Sequence, residues 1–108
     1  MAVDKLENPY VLGQYGCTGG TGVTSSTNVR VCGKFGIMSG YLQVTSARVT
    51  GNVIVTIPST LTGSSSLALV SNSDNTCRLA YANADGTVTA AGNVPTGFYS
   101  LVGTVFFS

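Results

Sequence analysis

Large apolar side chains recur at every second position in short runs of this chain, and clusters of Gly, Ser, Thr and Asn separate the runs. That is the pattern of an all-β protein. In residues 37–45, IMSGYLQVT, Met38, Leu42 and Val44 share one face with Gly40, while Ser39, Tyr41, Gln43 and Thr45 share the other. This is a half-buried strand of period two. In 52–58, Val53, Val55 and Ile57 fall on one face and Pro58 closes the run, because proline cannot donate to a ladder. The segment 66–70 is too short to phase. In 77–82, Cys77, Leu79 and Tyr81 alternate with Arg78, Ala80 and Ala82, and the NADG that follows supplies an Asp-Gly pair suited to a tight hairpin into TVTA.

The last run, 97–107, differs from the others. Phe98, Val102 and Phe106 share a face with Ser100 and Thr104, whereas Tyr99, Leu101, Val105 and Phe107 share the opposite face with Gly103. Each large apolar group left in water forgoes about 1.5–3 kcal/mol of burial. One face fills the core, and the other, carrying Tyr99, Leu101, Val105 and Phe107, is expected to meet a further copy of the chain or a partner. The alternative is a central strand with a loop folded over its outer face.

The expected fold is a single β-sandwich of jelly-roll type over residues 23–108, with strands near 28–33, 37–45, 48–57, 66–70, 77–82, 86–90 and 97–107. Residues 1–22 form a short arm and a Gly-rich break. Within them, 2–9 is compatible with a helix that Pro9 would end, and GCTGGTG at 16–22 reads as flexible.

Charge changes the picture more than length does. Only 8% of the 108 residues are charged and the net charge is +1, while Ser, Thr and Asn fill 33 positions. No footprint for nucleic acid or an anionic membrane results, and no stretch is apolar enough to span a bilayer. A nearly neutral surface of hydroxyls and amides favours association. The start of the chain lacks the apolar run of a signal peptide, so synthesis in a cytoplasm is expected.

Catalytic chemistry is sparse. With no His, acid–base work would fall to Asp4, Glu7, Asp74 or Asp85, none of which has a supporting pattern, and no enzyme is expected. SNSDN and NADG resemble calcium loops in composition but lack a spaced set of acidic ligands, and GCTGGTG lacks the Gly-Lys-Ser/Thr of a phosphate loop. No metal or cofactor is expected. The three cysteines, Cys17, Cys32 and Cys77, have no metal-binding spacing; Cys17 could pair with Cys32, and the simpler reading is three free thiols acting as small hydrophobes. Arg30 and Lys34 flank Val31-Cys32-Gly33 and could bind a phosphate or a partner carboxylate, but the reading preferred is edge-strand charges that discourage aggregation. Saccharide binding needs an aromatic platform ringed by amides and hydroxyls, and Tyr41 and Tyr81 with Asn72, Asn75 and Asn83 are the candidates.

Three stretches, GYLQVTSARVTGNVIVTIPSTL, CRLAYANADGTVT and PTGFYSLVGTVFFS, together resemble the small all-β modules at the tips of tailed-phage fibres, spikes and receptor-binding proteins. The resemblance implies a homotrimer and a virion location: a non-enzymatic fibre or spike head that binds a host-surface saccharide. Such modules usually follow a long stalk, and this sequence opens on a short arm, so either a free-standing small virion protein or a module without its stalk is expected. A capsid decoration or cement protein, using residues 1–16 as a clamp on other virion proteins, is the first alternative. A bacterial carbohydrate-binding or adhesion module is the second.

Overall fold

The computed structural model describes residues 11–108. The helix-compatible segment 2–9, with Asp4 and Glu7, lies outside the described residues. Nine strands follow: β1 (Val11–Gly16), β2 (Thr18–Gly19), β3 (Val23–Cys32), β4 (Phe35–Val44), β5 (Val53–Thr56), β6 (Ser65–Ser71), β7 (Cys77–Ala82), β8 (Thr87–Ala90) and β9 (Gly97–Phe106). All pair antiparallel, in the order β1-β3-β4-β9-β6-β7-β8-β5-β2. The all-β expectation holds, and the strands make one nearly closed sheet around a shared core, a barrel-like form of the sandwich.

Closure comes from the two edges of that order. Only Cys17 separates β1 from β2, so both edges belong to one continuous ribbon, which pairs with β3 on one side and β5 on the other. Hydrogen bonds from Cys17 N to the Thr27 carbonyl (3.0 Å) and from Gly20 N to the Ile54 carbonyl (2.8 Å) stitch the crossing point. This corrects the expected arm at two places. Residues 11–19 are woven into the sheet, so 11–16 are not available as a clamp. The glycines of GCTGGTG serve close approach, because a Cβ on Gly19 or Gly20 would run into the carbonyls of Val23 or Val53. Arg30, taken for an edge charge, lies on β3 with β1 beyond it, and its guanidinium reaches Gln14 Oε1 at 3.5 Å.

The core follows from alternation along each strand. On β4, Met38, Leu42 and Val44 point inward, as the period-two reading requires. On β7 the small residues Ala80 and Ala82 are the buried ones, while Leu79 and Tyr81 face out. Leu67 stands directly opposite Ala80 and supplies the volume that the alanine leaves. On β5 the register shifts between Val53 and Val55, which lets Ile54 and Val55 both enter the core and breaks the simple sharing of a face by Val53, Val55 and Ile57.

The central strand β9 lies between β4 and β6, and its two faces are the reverse of the sequence expectation. Tyr99, Leu101 and Val105 are sealed inside their own chain, with the Tyr99 hydroxyl donating to the Pro95 carbonyl at 2.7 Å. Phe98, Val102 and Phe106 face outward. Phe107, just past the strand, is half-buried and packs on the core. Three of the four residues assigned to a subunit contact, Tyr99, Leu101 and Val105, therefore belong to the interior, and the fourth, Phe107, is half-buried against it. The physical reason is the polar complement of each face. Ser100 and Thr104 accompany Phe98, Val102 and Phe106, and burying their hydroxyls would demand partners. The inner row carries Gly103 instead, where a side chain would collide with Leu67.

Candidate functional site

Pairing across β4, β9 and β6 assembles an outward face from residues far apart in sequence. Phe35 stands opposite Phe106, Ile37 opposite Thr104, and Val102 opposite Ala68, which in turn neighbours Leu79 on β7. Phe106 is 54% exposed and Val102 44%. None of these three strands contains Asp, Glu, Lys or Arg. From residue 11 onward every charge, Arg30, Lys34, Arg48, Asp74, Arg78 and Asp85, sits on β3, β7 or a loop.

Toward the other end of the same face the character changes. Tyr41 stands opposite Ser100 and next to Ser26, and Gln43 stands opposite Phe98. The Ser100 hydroxyl donates to Asn72 Oδ1 at 3.2 Å, so Tyr41 and Asn72 share a neighbour. Tyr41 and Phe98 are both about half exposed and diagonal to each other across the strand pair.

The five saccharide candidates do not form one site. Tyr81 lies on β7, three strands from Tyr41, opposite Ser66 and Thr89. Asn83 is consumed by the hairpin: its amide donates to the Thr87 carbonyl (3.1 Å) and to the hydroxyls of Thr87 (3.3 Å) and Thr89 (3.1 Å). Asn75 occupies a left-handed turn position at φ 61° and bonds back to the Ser71 carbonyl. Only Tyr41 and Asn72 are brought together. Ser100, Gln43 and Phe98 complete that cluster and were invisible to a local reading, since strand register alone joins them.

Asp74 and Asp85 serve their turns. Asp74 Oδ1 accepts from Thr76 N (3.1 Å) and Thr76 Oγ1 (2.8 Å), and Asp85 Oδ1 from Thr87 N (3.0 Å) and Thr87 Oγ1 (2.7 Å). The backbone bond from Thr76 is the chief cause holding Asp74 below its ordinary value, and the Thr87 hydroxyl is the chief cause for Asp85. A carboxyl lowered in the folded state adds stability above its ordinary value of 3.8, and that share is lost as the pH falls through the lower folded value. The urea midpoint is expected to stay level from about pH 7 to about pH 5 and to drop below about pH 4. In an Asp74→Asn, Asp85→Asn double variant the drop should be shallower.

The three cysteines are free: Cys17 is buried, Cys32 intermediate and Cys77 exposed. The small-hydrophobe reading therefore fits Cys17, whose thiol is pushed up by burial. Among the described residues, no group of three or more His, Cys, Asp and Glu side chains converges as a metal site would require.

At the Phe35–Phe106 end of the barrel a cleft of about 440 Å³ opens between the β1–β3 pair and residues 57–59. No protein-family model matches this chain, and no curated protein matches it in sequence.

Proposed function

We propose that the chain is a non-enzymatic structural protein that assembles by covering the outer face of β4, β9 and β6 with further copies of itself. The setting is the one its sequence resembles: a tailed-phage fibre or spike tip built from three copies, displayed on the virion, with a host-surface saccharide as its target. The observation that carries the reading is the uncharged apolar zone of Phe35, Ile37, Val102 and Phe106. A monomer leaving this zone bare would keep about half of each of four large side chains in water at one place on its surface.

Two features favour a second copy as the cover. An uncharged face offers no ion pairing to a charged partner, whereas a copy of itself presents an equally uncharged surface. The nearly closed sheet also leaves little free edge, so copies meet by faces and not by adding strands. The polar end of the face, where Tyr41 and Phe98 stand near Ser100, Gln43 and Asn72, supplies aromatic platforms with amide and hydroxyl neighbours for a saccharide.

Sedimentation of the purified full chain in native buffer tests the reading. A species of three chain masses at micromolar concentration is expected. A species of one chain mass at every concentration would overturn it.

A further inference from the structure

The cleft at the barrel end is independent of the assembly face and is built from paired devices. On β1, Tyr15 stands opposite Val29 and so shares its inward face, yet Val29 is 1% exposed and Tyr15 51%. Tyr15 thus stands in solvent at the end of the barrel, above a floor that Val29 and Ile57 seal. The cleft exists because the ribbon pairs with β5 only from Thr18 onward, leaving Tyr15 apart from Ile57 and Pro58.

Two aromatic rings frame the gap, and each needs a glycine beneath it. A Cβ on Gly36 would lie 2.8 Å from Phe107 Cζ and 2.5 Å from Val29 Cγ2, and a Cβ on Gly13 would lie 2.9 Å from the Tyr15 hydroxyl. The buried side chains of Val29 and Ile57 line the cleft below the rings. Lys34, on the turn between β3 and β4, lines the rim and is exposed. Among the described residues, no Asp or Glu side chain lines the cleft and the Lys34 side chain has no hydrogen-bond or ion-pair partner.

We propose that this cleft binds an amphipathic carboxylate, a small molecule with an apolar body and one anionic head. The body lies between the Tyr15 and Phe107 rings over Val29 and Ile57, and the head meets the Lys34 ammonium. Mainly apolar walls with a few polar groups, here the side chains of Lys34, Tyr15, Ser59 and Ser108, at the mouth of a barrel and of this volume, are the ordinary form of a small-ligand site. Aromatic and aliphatic walls favour a flat or aliphatic body over a polyol.

Methyl NMR of the full chain, titrated separately with decanoate and with decanol below their aggregation limits, tests the proposal. Decanoate should shift the Val29, Val31 and Ile57 methyls saturably. Lys34→Gln should weaken decanoate by about fivefold, the scale of an exposed ion pair, and leave decanol unchanged. Absence of any saturable shift, shifts confined to Ile37 and Val102 on the outer face, or a Lys34→Gln effect equal for acid and alcohol would each overturn it. Loss of the oligomer, by contrast, would bear on the assembly reading and leave this one intact.

Discussion

Replacing Val105 with aspartate will leave the chain unfolded, and the same replacement one residue later, at Phe106, will leave it folded and monomeric. Val105 is fully enclosed and faces Gly36 across the β4–β9 ladder. A carboxylate there has no partner and costs several kcal/mol, a large part of the roughly 5–15 kcal/mol that holds a domain of this kind. Phe106 points the opposite way and stands opposite Phe35, itself 39% exposed. An aspartate at 106 is solvated in the single chain, so stability changes by less than about 1 kcal/mol. In an assembly it would be buried against apolar side chains of a neighbour. Circular dichroism with urea and sedimentation of the two variants checks both halves. A folded Val105→Asp would place β9 in the wrong phase, and a Phe106→Asp variant that stays oligomeric would remove this face from the contact.

Gly40→Ala is the second large effect expected, from the smallest possible side chain. Gly40 has φ +97°, and a Cβ there would sit 2.5 Å from the Ser26 carbonyl oxygen and 2.9 Å from Thr27 Cα. Both obstacles are backbone of the paired strand β3, in the middle of its ladder with β4. Neither can turn aside as a long side chain would. The strained φ costs about 1–3 kcal/mol and the overpacking a similar amount. Gly51→Ala is the contrast: its φ is +88°, but open space surrounds the position, so only the backbone term of about 1–2 kcal/mol applies. Urea midpoints of the two variants should differ by at least the overpacking term. Equal midpoints would mean that β3 and β4 do not approach as described.

The contrast between β4 and β9 explains what the sequence could disclose. Over residues 38–44 of β4 one face carries Met38, Leu42 and Val44 and the other Ser39, Tyr41 and Gln43, so period two alone phases that stretch. On β9 both faces carry aromatics of similar weight, and the deciding residues are the small ones, Ser100 and Thr104 outside and Gly103 inside. Reading by apolar size alone picked the wrong face. The same bias misleads at β7, where Ala80 and Ala82 are buried because Leu67 crosses from β6 to fill the space. The Asn83–Gly86 turn was legible because its chemistry is local: Asp85 caps Thr87 two residues on.

Non-local features were not legible. GCTGGTG looks flexible until the Val53 carbonyl is brought against Gly20, which depends on the ribbon closing the sheet. Tyr41 and Asn72 were both identifiable as polar-loop neighbours, but Ser100 joins them across 28 residues of chain. The cleft depends on where β1 parts from β5, a property of the closed sheet and of no single segment.

Hydroxyl-radical footprinting of the native full chain, read residue by residue by mass spectrometry, tests most directly whether neighbouring copies hide the apolar half of the outer surface. Phe35, Ile37 and Phe106 should be protected at high concentration and become reactive on dilution, while Tyr99, Leu101 and Val105 stay protected throughout. Full reactivity of Phe35 and Phe106 at the highest concentration would contradict the account.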